Sequence, residues 1–209
     1  GNMMIDEAKI GGITPAVLIL SGRCEASPPQ SALLLNQGGR FTDVTHSAAP
    51  GLERVGMVTT GLWTDADNDG WIDLLIALEW GGVQLWRNNG EGRFEDWSDH
   101  AGFSAAGTGW WCSLAAADFN GDERPDYVAG NVGLNTQYQA SPDQPALLFA
   151  GDFGGAGGAP QLVEARWDGG RMVPWRTLKD LRAAIPSIGR SPWVTVPTKA
   201  AYCGCIRSM

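Results

Sequence analysis

Short apolar runs broken by glycine, asparagine, aspartate and proline dominate this chain, a pattern that predicts strands joined by tight turns. Ala16–Leu20 reads as a strand and Cys24–Gln30, with two prolines, as a loop. Ser31–Leu35 reads as the next strand, Asn36–Gly39 as a turn, and the stretch through Phe41 and Val44 as another strand. After a turn at Pro50-Gly51, Gly56–Trp63 leads into an acidic loop. Apolar runs at 72–78 and 82–87 flank Gly81-Gly82 and read as a hairpin, followed by a turn at 88–92 and a strand at 93–96. Trp110–Ala116 leads into a second acidic loop, which runs on into Tyr127–Gly130. Residues 131–144 read as an inserted loop and Ala146–Ala150 as a further strand. Leu178, Leu181 and Ile185 recur at helical spacing and predict a short amphipathic helix over 177–185, ended by Pro186. Residues 187–209 carry no clear pattern.

The elements repeat. Asp65 to Asp73 and Asp118 to Asp126 place oxygen-bearing side chains at loop positions 1, 3, 5 and 9. The stretch from Asn36 through Phe41 to Thr45 is matched by the one from Asn89 through Phe94 to Ser98. Asp118 lies 53 residues after Asp65, and Phe94 lies 53 residues after Phe41. Two independent landmarks sharing one spacing define a repeat, and periods near 50 residues point to propellers, solenoids or arrays. Four short strands per period is the composition of a propeller blade.

The loops are built for a hard cation. Calcium takes about six to eight oxygen ligands, and alternating side chains on a turning loop aim several of them inward. The candidate ligands of the first loop are Asp65, Asp67, Asp69, the Trp71 carbonyl and Asp73; those of the second are Asp118, Asn120, Asp122, the Arg124 carbonyl and Asp126. Gly70 at position 6 supplies the positive φ of a sharp turn. Crowded aspartates repel one another unless a cation holds them together. An EF-hand needs a glutamate at position 12 and helices on either side. Position 12 here is Ile76, inside a strand-like run, so the EF-hand is excluded. A third loop from Asp152 has Gly154, Ala156 and Pro160 at positions 3, 5 and 9, and no metal is expected there.

Composition changes the picture in three ways. The formal charge of −8 argues against nucleic acid as a partner, and seven of the 23 acidic side chains are the aspartates of the two loops. The four cysteines, Cys24, Cys112, Cys203 and Cys205, are too scattered for a zinc site, and Cys112 beside Trp110-Trp111 reads as a buried small apolar residue. No run reaches the roughly 18 apolar residues of a membrane span, so no membrane insertion is expected. Asp6 and Glu7 make the Ile13–Leu20 run a poor signal peptide.

The two strand-flanked acidic loops resemble the FG-GAP (VCBS-type) repeats of the integrin α-subunit propeller. Leu34–Thr45, Glu79-Trp80, Gly109–Trp111, Val128–Asn135 and Ala140–Asp143 are similar to recurring features of one subfamily, the bacterial proteins related to cartilage acidic protein. The resemblance covers about residues 16–186. It implies an all-β fold of four-stranded antiparallel propeller blades, calcium in the blade loops, and a place outside the cytoplasm, extracellular or periplasmic. A closed propeller takes about four to eight blades, and this length allows about three, so a partial or open propeller is expected, completed by self-association or as part of a larger assembly. The blades are expected over 1–162 and a C-terminal extension with the short helix and an irregular tail over 163–209.

The functional expectation is a non-catalytic module with two calcium sites, binding a protein or glycan partner. The alternative is a lectin-like propeller using Trp80, Trp97, Trp110 or Trp111, although packing within the blades explains these aromatics more simply. A carbohydrate-active enzyme fragment is the weaker alternative. His46 and His100 follow analogous strands without a partnered nucleophile in the sequence, and Glu79 is the carboxylate to test.

Overall fold

The computed structural model describes residues 6–7, 16–21, 30–132, 140–141, 143–153, 161–185, 188 and 201–206, with 6–7, 16–21 and 201–206 described by their backbone. The expectations for residues 22–29, most of the inserted loop at 131–144, positions 154, 156 and 160 of the third loop, and most of the tail lie outside these. The chain forms two compact units, residues 1–23 with 29–132, and residues 24–28 with 133–209.

The first unit begins with a four-stranded antiparallel sheet of β1 (Asp6–Glu7), β2 (Ala16–Ser21), β3 (Ser31–Gln37) and β4 (Arg40–Asp43), paired in chain order. Next, β5 (Met57–Thr64), β6 (Asp73–Gly81), β7 (Val83–Asn88) and β8 (Phe94–Asp96) form an up-and-down meander, each strand antiparallel to the one before. β9 (Gly109–Ala117) pairs with the end of β6 through Glu79 and Gly81, and β10 (Asp126–Asn131) pairs with β9. Trp80 sits at the register shift in β6 with a φ of 61°. The expected all-β architecture of blade-like antiparallel sheets is therefore present.

β6 explains why its sequence is almost continuously apolar. Leu74, Ile76 and Leu78 turn to one face, into a core with Leu33, Leu52, Val58, Trp86 and Phe94. Leu75 and Ala77 turn to the other, into a core with Val83, Leu85 and Trp111. A strand covered on both faces has no polar side to alternate with.

The repeated turn segments acquire a physical cause. In the first sheet the Thr45 hydroxyl accepts the Leu33 N–H at 2.8 Å, while Asp43 accepts from the Thr45 N–H at 2.9 Å. In the second, Ser98 accepts the Leu85 N–H at 3.1 Å and Asp96 accepts the Ser98 N–H at 3.0 Å. Each Asp-x-Thr/Ser unit closes the third strand of its sheet where the fourth strand leaves it. A one-turn α1 (Thr45–Ala48) and a 3₁₀ turn, Pro50–Arg54, then carry the chain to the next sheet, and a second 3₁₀ turn, Phe103–Ala106, leads from β8 to β9.

In the second unit, β11 (Ala146–Gly151), β12 (Gln161–Asp168) and β13 (Arg171–Pro174) repeat the meander, and β14 (Ala201–Ile206) pairs with β11. Gly169 and Gly170, with φ of 55° and 78°, make the two-residue β12–β13 turn. The expected helix is α2 (Leu178–Ala184), started by Thr177, whose hydroxyl accepts the Asp180 N–H at 3.3 Å. Leu181 is buried on its inner face, and Ile185 just past its end is buried as well.

Candidate metal centre

The first acidic loop closes the β5–β6 hairpin and is shaped by its own carboxylates. Asp65 accepts the N–H groups of Asp69 at 3.1 Å and Gly70 at 2.9 Å, and Asp69 accepts that of Trp71 at 2.9 Å. Asn68 and Gly70 take φ of 62° and 87°, the left-handed kinks that turn alternate side chains inward. Asp73 is fully buried, and one of its oxygens accepts the Ala66 N–H at 2.9 Å while the other accepts that of Asn88 at 2.8 Å. Burial pushes its carboxyl pKa up; the Asn88 and Ala66 N–H groups pull it down, and the charges of Asp67 and Asp69 raise it again.

Ligand atoms of Asp65, Asp67 and Asp73 lie within 4.8 Å of one another, the one such group of three among the described residues. All are hard oxygen donors, and one is held rigidly in the interior, a set that suits a hard divalent cation. Asp69 is not in the group. The Arg87 guanidinium of β7 takes it at 2.7 Å, pairs with Asp67 through Nε, and lies 4.8 Å over the Trp97 ring. The Asp67 hydrogen bond above all, with the charges of Asp67, Asp69 and Asp73, raises the arginine pKa against the opposing effect of burial. Neither Arg87 nor Trp97 was marked as part of the loop by its sequence spacing.

Two further contacts fix the loop. The Thr64 hydroxyl is 2.8 Å from the Tyr127 hydroxyl, tying the end of β5 to β10. Trp71 leaves no room for a side chain at Gly90, where an added Cβ would stand 2.7 Å from the indole nitrogen.

The second loop, between β9 and β10, repeats the backbone. Asp118 accepts the N–H groups of Gly121 at 2.7 Å and Glu123 at 3.0 Å, which with those of Asp122 and Asn120 hold its carboxyl pKa down, Glu123 most. Asp126 accepts the Phe119 N–H at 2.9 Å, as Asp73 does that of Ala66. Loop positions 4 and 6 are left-handed in both loops, with Gly121 at 79° and Glu123 at 65° here. The glycine has changed places: the first loop carries Asn68 and Gly70. A left-handed glutamate pays a steric penalty that glycine avoids. Glu123→Gly is expected to gain up to about 1 kcal/mol in urea unfolding, and a loss of that size would mean that the side chain makes a compensating contact. Asp118, Asp122 and Asp126 do not converge as the first trio does, and the Asn120 amide instead donates to Asp122 at 3.1 Å.

At the third turn the Phe153 N–H donates to the Gln161 side-chain oxygen at 2.9 Å. A neutral amide one position further along thus accepts the N–H after the first aspartate, as Asp73 and Asp126 do in the first two.

Other sequence candidates serve packing. Trp80 and Trp111 are buried, and Trp80 packs on Trp110 with ring centroids 6.1 Å apart. Trp97 stacks on His100 at 4.1 Å, and His46 pairs with Glu53 at 3.2 Å on the surface. Cys112, expected inside, is exposed and free: it lies on a face of β9 that no other strand covers among the described residues, together with Ala115 and Ala117.

Residues 65–129 match the family model of the FG-GAP-like repeat. The match opens on the first acidic loop and closes within β10, one period later, so the middle of the chain carries this repeat. It does not separate the subfamilies of the repeat. No curated protein matches the chain. None of the described helices is long and apolar enough to cross a membrane.

Proposed function

We propose that this chain is a calcium-stabilised, non-catalytic repeat scaffold that works outside the cytoplasm as an interaction or adhesion module, with a protein or glycan as its partner. The observation that carries the reading is the convergence of Asp65, Asp67 and Asp73 within 4.8 Å, inside the stretch that matches the FG-GAP-like repeat. Such an ion would neutralise carboxylates that otherwise repel one another and would pin the β5–β6 turn. Asp69 and the Trp71 carbonyl would add further oxygens, and Asp118, Asn120, Asp122, the Arg124 carbonyl and Asp126 would supply a second site on closing around an ion, with the Asn120 amide turned from Asp122. The lectin-like alternative draws less support, because Trp80 and Trp111 are spent on packing.

Thermal unfolding in calcium and in chelator tests the reading. At a calcium concentration one hundred times Kd, each site adds about 2.7 kcal/mol. That raises Tm by about 5–10 °C in a chain of this size. Asp67→Ala/Asp122→Ala is expected to abolish the rise. Superimposable curves for the parent in calcium and in chelator would refute structural cation binding.

A further inference from the structure

Arg87 stands out among the cations of the first unit because it takes part in the acidic loop from β7, the strand next to β6. Nε bonds to Asp67 and Nη2 to Asp69 at 2.7 Å, so one planar group clamps two carboxylates. The guanidinium is held in place from behind by the Trp97 ring at 4.8 Å. The clamp consumes one oxygen of each aspartate, and the other oxygen of Asp69 accepts the Trp71 N–H. Asp69 is the aspartate missing from the converging trio. The position one period on from Arg87 is Ala140, so the repeat does not carry this arginine forward.

We infer that Arg87 is a built-in counter-ion that competes with the divalent cation for Asp67 and Asp69, and so sets the affinity of the first loop. The inference rests on the proposed cation binding. Without the ion, the guanidinium offsets part of the repulsion among four aspartates. With the ion, Asp69 becomes a ligand only by leaving Arg87, and the arginine charge then stands beside a double positive charge. A merely positioning arginine, one that aims the carboxylates at the ion, predicts the reverse: its removal would weaken cation binding and loop stability together. Competition alone gives the two effects opposite signs.

The test is a calorimetric calcium titration of the full chain, with Asp122→Ala as the background so that the first loop is read, together with urea unfolding in chelator. Arg87→Gln is expected to bind calcium about tenfold more tightly, the size of the repulsion between a single and a double charge a few ångströms apart in water. In chelator the same variant is expected to unfold at lower urea. Arg87→Lys, which keeps the charge but loses the two-pronged contact, should fall between the two. Unchanged or weaker binding by Arg87→Gln, with the background still binding, overturns the competition and leaves the scaffold reading intact. Calcium bound by neither protein overturns both. If Arg87→Gln is unfolded in chelator, calcium-driven refolding followed by circular dichroism takes the place of the titration. Folding then raises the midpoint, so a midpoint below the Kd of the background supports competition. Where it lies above, Arg87→Lys is titrated folded, and binding no tighter than the background overturns competition.

Discussion

Asp73→Ala is expected to cost about 2–4 kcal/mol in chelator and to abolish calcium binding at the first loop, as read by urea unfolding and calorimetry. The stability loss follows from the two N–H groups that the carboxylate accepts, from Ala66 and Asn88, at a fully buried position. Removing the acceptor strands both donors, and the Asn88 N–H has no water within reach because Asn88 is buried too. The residue therefore differs from the other loop aspartates, whose truncation should matter chiefly for the ion. Because burial raises its carboxyl pKa, the ionised side chain in the cation-free protein is a burden that grows as pH rises through that raised value. A divalent ion removes that burden. A loss below about 1 kcal/mol in chelator would show that the turn does not depend on this acceptor pair.

Leu75→Ala and Val128→Ala should diverge sharply, although the two residues occupy equivalent places one period apart. Leu75 is inaccessible, in the core that β6 shares with Trp111, and its truncation is expected to cost about 2–5 kcal/mol. Val128 is 54% exposed on β10, where nothing that packs is lost, and its truncation should cost under about 1 kcal/mol. Phe119, at 64% exposure, shares the open environment. Equal losses for the pair would mean that another sheet covers Val128 in solution, and chemical denaturation of the two variants decides the matter.

The contrast marks what a sequence can tell. Period, strands and loops were legible because each rests on a local rule: alternating aspartates with a left-handed position, short apolar runs, Asn-Gly turns. The β6 run could be read as a strand for the same reason. β12 and β13 lack the continuous apolar run that marks β6, although Val163, Ala165 and Trp167 of β12 alternate with Glu164, Arg166 and Asp168 as a half-buried strand does. α1 spans four residues, too few to show a period, and it follows the Thr45 hydroxyl that caps β3. Cys112 was misplaced for a different reason. Its neighbour Trp111 is buried, but the register of β9 against β10 shifts between Trp111 and Ser113 and leaves Cys112 out of the ladder on the exposed side. Within the candidate site, the places of the loop aspartates are legible in the spacing, whereas the division of labour among them is not. The interior position of Asp73 and the diversion of Asp69 to Arg87 both depend on β7, which no spacing within the loop encodes.

The third turn keeps the first aspartate, Asp152, and loses the carboxylate that closes the other two. Gln161 keeps the hydrogen bond to Phe153 that a carboxylate makes in the other two turns, and it offers no charge. A repeat of this kind can thus keep the hydrogen bond that pins its turn without carrying the charge that a cation would need.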